Sequence, residues 1–63
     1  MKNFESFEQA RNYFNEITKS LIKKFVAVFQ TINNTYVVII TDNRQNIFSL
    51  SSQSNMRLMI LSE

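Results

Sequence analysis

The chain has 63 residues, seven basic and five acidic, with a net charge of +2 and no Gly, Pro, Cys, His or Trp. That composition excludes disulfides and Cys/His metal centres, catalysis by imidazole or thiolate, and the Gly-rich phosphate loops and Gly-flanked nucleophile elbows. The charge is too mild to announce a nucleic-acid binder and has the wrong sign for an acidic DNA mimic.

Residues 4 to about 23 read as one amphipathic helix. Ser6 and Gln9 have capping-box spacing. Phe7, Ala10, Phe14, Ile17 and Leu21 then recur at alternating steps of three and four, forming one apolar stripe. Glu5 and Glu8 near the start and Lys19, Lys23 and Lys24 near the end complement the helix dipole.

From Phe25 the chain turns β-branched and aromatic. Residues 25–32 and 35–41 read as two strands joined at Asn33-Asn34. A two-residue type I′ loop needs positive φ at both positions, and Asn tolerates that best where Gly is absent. Ile32 is then expected opposite Thr35. That register gathers Phe25, Ala27, Phe29, Tyr36, Val38 and Ile40 on one face, assigned to the helix stripe, and leaves Val26, Val28, Ile32, Val37 and Ile39 on the other. Beyond the polar stretch 42–46, Ile47-Phe48-Ser49-Leu50-Ser51 alternates as a half-exposed third strand. The last segment, residues 56–61, suits a buried strand or a short helix, with strand favoured by its short continuous apolar run.

The expected fold is therefore α+β: one domain over residues 1–63, with an N-terminal amphipathic helix packed on an antiparallel meander of three to four strands. A domain of about 60 residues hides only about 60% of its extended surface. With no cross-link available, a tight core or a buried interface is expected.

The start of the chain lacks the apolar core of a signal peptide, and its longest apolar runs, residues 25–29 and 36–40, are five residues each. The reading is a cytoplasmic protein with no membrane role. Eight Asn, seven Ile and six Phe against two Ala suggest an AT-rich genome and a small phage, plasmid or low-GC bacterial gene.

No catalytic, cofactor or metal residues are assigned. Glu5, Glu8 and Asp42 are explained as helix-start and turn residues, and Ser20 beside Lys23 as a solvated helix end. A mostly β-branched sheet face must be covered, since monomers rarely expose large apolar patches. Val26, Val28, Ile32, Val37 and Ile39 are accordingly the expected protein interface, used by a homodimer or a larger protein partner. On this reading Val37→Lys abolishes association and leaves the helix intact. The function expected is a non-enzymatic interaction module, an inhibitor or adaptor. The second reading is a nucleic-acid-binding protein using Lys19, Lys23, Lys24 and Arg44.

Overall fold

A computed structural model describes residues 2–53 and 55–62. In chain order the elements are β1 (Lys2–Phe4), α1 (Phe7–Ser20), β2 (Phe25–Thr31), β3 (Tyr36–Thr41), α2 (Arg44–Ser51) and β4 (Met56–Leu61). The strands form one antiparallel sheet in the order β1-β3-β2-β4. The class expected from the sequence is the one observed: an α+β fold with an N-terminal helix on an antiparallel sheet, closed by a C-terminal strand.

The first helix begins where its cap lies. Ser6 is extended (φ −127°, ψ 149°), and its hydroxyl oxygen accepts from the Gln9 backbone N–H at 3.2 Å. The stripe behind that cap meets the sheet, with Ala10 and Phe14 buried against Val26, Val28 and Val38. The helix is shorter than residues 4–23. Phe4 belongs to β1, where it pairs with Tyr36, and its ring lies 5.4 Å from that of Tyr13. Past Ser20 the chain leaves the helix at Leu21 (φ −107°, ψ 63°).

The β2–β3 hairpin turns at the expected Asn pair with a different loop. Thr31 donates its N–H to the Thr35 carbonyl at 2.9 Å and accepts at its own carbonyl from Asn34 at 3.0 Å. The loop is thus the three residues 32–34, and only Asn34 adopts positive φ (65°). The Thr31 hydroxyl oxygen holds this shape by accepting from the Asn33 and Thr35 N–H groups, each at 3.3 Å. It also lies 2.7 Å from the Thr35 hydroxyl.

One extra loop residue moves the register by one. Val28 faces Val38 and Phe29 faces Val37, so the two faces are composed differently from the expectation. Val26, Val28, Tyr36 and Val38 meet α1. Phe25, Ala27, Phe29, Val37 and Ile39 lie on the opposite side. The face assignment is therefore corrected: α1 covers the Val26/Val28 side of β2.

The segment read as a third strand, 47–51, is the helix α2. Asn43 caps it, its side-chain oxygen accepting from the Gln45 N–H at 3.0 Å. Ile47 and Leu50, three apart, turn inward, Ile47 fully buried and Leu50 partly buried against the same cluster. A strand here would leave Phe29 and Ala27 bare; a short helix covers them. The final segment is β4, which pairs with β2 and contains an irregularity at Val28/Phe29. Phe29 faces Leu58 while Val28 faces Ile60, so Met59 is a bulged residue with no partner of its own.

The two helices lie on opposite faces and are offset. Helix α1 rests on β1, β2 and β3, whereas α2 rests on β2, β3 and β4. The α1 side of β4 is the face that α1 leaves open.

Candidate interaction surface

A cleft opens at the C-terminal end of α1, where the chain crosses to β2. Its volume is about 450 Å³, and it is lined by Phe14, Asn15, Thr18, Leu21, Ile22, Lys24 and Ser62. On one wall, Asn15 and Thr18 stand three apart on one face of α1, and Ile22 follows in the turn after the helix. The Thr18 hydroxyl is already partnered, donating to the Phe14 carbonyl at 2.9 Å.

Opposite stands Ser62, the residue after β4. It is tied to β2, donating its N–H to the Val26 carbonyl at 2.9 Å and accepting the Val26 N–H on its hydroxyl at 2.8 Å. Directly opposed residues in an antiparallel pair share a side. Ile60, opposite Val28, and Arg57, opposite Gln30, therefore stand on the α1 face of the sheet. The bulge interrupts alternation at Met59, which remains 38% exposed. Ile22, at the far end, is 82% exposed.

The charged residue of the lining is Lys24. Lys24 pairs with Asp42, both side chains largely in solvent, a contact worth at most about 1 kcal/mol. Among the described residues this is the only ion pair. Arg57 lies elsewhere, in a smaller hollow of about 120 Å³ beside Gln30, Thr31 and Ile32. No group of three or more His, Cys, Asp or Glu side chains positioned to hold a metal is present among the described residues.

The five residues expected to share one interface face are not brought together. Val26 and Val28 are fully buried under α1. Val37 and Ile39 are buried on the α2 side. Ile32 stands at the hairpin tip, 78% exposed. The four expected nucleic-acid residues are also divided. Lys19 ends α1, Lys23 and Lys24 follow it, and Lys24 is engaged by Asp42. Arg44 starts α2, its guanidinium 5.9 Å from the Phe25 ring and 5.6 Å from the Phe48 ring, on the other face of the sheet. Nor do Phe25, Phe29 and Tyr36 form a stacking platform, since Phe29 is fully buried and Tyr36 lies on the α1 face against Phe7.

Of the cleft residues, Phe14 and Leu21 belong to the expected apolar stripe and Lys24 to the expected cationic set. Asn15, Thr18 and Ser62 are polar and give no hydrophobic signal, and the cleft follows only from where α1 stops. No family model, curated protein or solved structure matches this chain.

Proposed function

We propose that this chain is a non-enzymatic protein-interaction module that occupies a surface of a larger protein, as an inhibitor or adaptor. The observation that carries the reading is the open cleft at the end of α1, where Ile22 is 82% exposed beside Phe14 and Leu21. Apolar groups next to an unfilled concavity are the usual ground of protein recognition. A composition rich in AT-codon residues suits a small gene of a phage or plasmid, where a chain of this size acts by covering a surface on its target.

A protein partner is preferred over nucleic acid because the candidate cations are split between the two sheet faces and one of them is paired. The two readings separate by retention on immobilised DNA and RNA against retention by protein from cells of the source organism. A protein module gives saturable protein retention that excess free chain competes away. Retention by nucleic acid alone, falling steeply with salt and lost in Lys23→Ala/Lys24→Ala, reverses the assignment.

A further inference from the structure

Going beyond that reading, we infer that the cleft at the end of α1, when no larger partner fills it, takes the β2–β3 hairpin tip of a second copy. Ile22 and Ile32 are the two most exposed large apolar side chains among the described residues, at 82% and 78%. Neither belongs to a core cluster. They stand at opposite ends of the fold. Lys24 of the cleft leads directly into β2, and Ile32 follows its last residue, Thr31. The seven residues of β2 span about 23 Å, so no copy reaches its own cleft with its own tip. The contact joins the tip of one copy to the cleft of the next.

The tip is built as a knob. The Thr31 hydroxyl accepts from the Asn33 and Thr35 N–H groups, and the Asn34 side-chain oxygen accepts from Gln30 Nε2 at 2.8 Å. The loop is thus held before any contact forms, and a β-branched side chain has little rotamer freedom left to lose. The cleft is of matching make-up. Its apolar walls are Phe14, Leu21 and Ile22, and its volume of about 450 Å³ exceeds what one isoleucine side chain fills. The flanking Asn residues therefore enter the mouth with Ile32. Asn15 lines that mouth, and among the described residues neither its side-chain amide nor that of Asn33 takes up a hydrogen bond within the chain. Two such amides each donate and accept, so they satisfy one another. No unpaired charge is buried, since residues 32–34 are uncharged and Lys24 is held by Asp42. Three loop residues cover less than the roughly 1,000 Å² of a stable interface. The contact is accordingly weak, and a better-fitting protein displaces it by mass action.

The test is amide NMR on the labelled full chain, diluted from about 1 mM. Two separate segments are expected to shift on dilution, residues 31–35 and residues 14–24, because a head-to-tail contact uses two different surfaces. Ile32→Lys and Ile22→Lys each abolish the shifts, and both positions are exposed enough to leave the fold intact. The deciding sample mixes labelled Ile32→Lys with unlabelled Ile22→Lys. The first keeps its cleft and the second keeps its tip, so shifts return at 14–24 of the labelled chain and not at 31–35. Absence of dilution shifts in the unsubstituted chain overturns the inference and leaves the larger-protein reading to its own retention test. Shifts in one segment only, shifts confined to another surface, or no recovery in the mixture overturn the contact of tip with cleft.

Discussion

Helices α1 and α2 cover opposite faces of one sheet and bury clusters of similar make-up, yet they are helical for different reasons. Helix α1 has 14 residues, a Ser cap and two buried positions, Ala10 and Phe14, within a regular stripe. Its pattern alone selects the conformation. Helix α2 has eight residues and one buried position, Ile47, and is shorter than the roughly 12–15 residues an isolated helix needs. Its residues Ile47 and Phe48 favour strand by propensity. What makes it a helix is the face beneath it, where Phe29, Ala27, Val37 and Ile39 require a cover. One helix is specified by its own residues, the other by its neighbours' need for burial.

The largest effect should come from charging the α2 side. Val37 is 5% exposed, so Val37→Lys buries an unpaired ammonium and costs roughly 4 kcal/mol or more. Circular dichroism should show loss of helix and of a cooperative melt at every concentration. A folded, merely dissociated variant would return Val37 to an intermolecular surface and dissolve the two-face description.

Next is Ile47→Ala, a cavity worth about 2–5 kcal/mol. If α2 depends on packing, amides of residues 44–51 lose hydrogen-exchange protection well before those of 7–20. Simultaneous loss would mean that both helices belong to a single cooperative unit and that the contrast is only one of sequence.

A smaller effect tests the hairpin that sets both faces. Asn34→Ala removes the side-chain amide that makes positive φ tolerable and that accepts from Gln30 Nε2 at 2.8 Å, and should cost about 1 kcal/mol, whereas Asn33→Ala should be near neutral in chemical denaturation. Equal costs would favour the two-residue loop. Smallest of all, Asp42→Asn removes a solvent-exposed pair and should change stability by at most about 1 kcal/mol, less at high salt.

That hairpin also explains where sequence reading succeeded and stopped. Helix α1 and its cap were legible because Ser6, Gln9 and the Phe7-to-Ile17 spacing are local signals. The turn's position was legible from two adjacent Asn. Its length was not, because the deciding contacts are those of the Thr31 hydroxyl with Asn33, Thr35 and the Thr35 side chain. Slipping one residue keeps β2 and β3 as strands but recombines their faces. Tyr36 and Val38 were rightly placed under α1, and Phe25 and Phe29 were not. The cleft was hidden for a different reason: it joins the end of α1 to Lys24 and Ser62, neighbours brought together only by the fold.

Met59 has a consequence at the level of the gene. Its neighbours Leu58 and Ile60 already face consecutive residues of β2. An in-frame deletion of its single codon therefore keeps every cross-strand pairing. What disappears is the irregularity of an apolar outer strand, leaving a straight row of backbone donors and acceptors on which further chains can stack. The surplus residue thus acts as insurance against fibre growth, in a strand whose only charge among its six residues is Arg57.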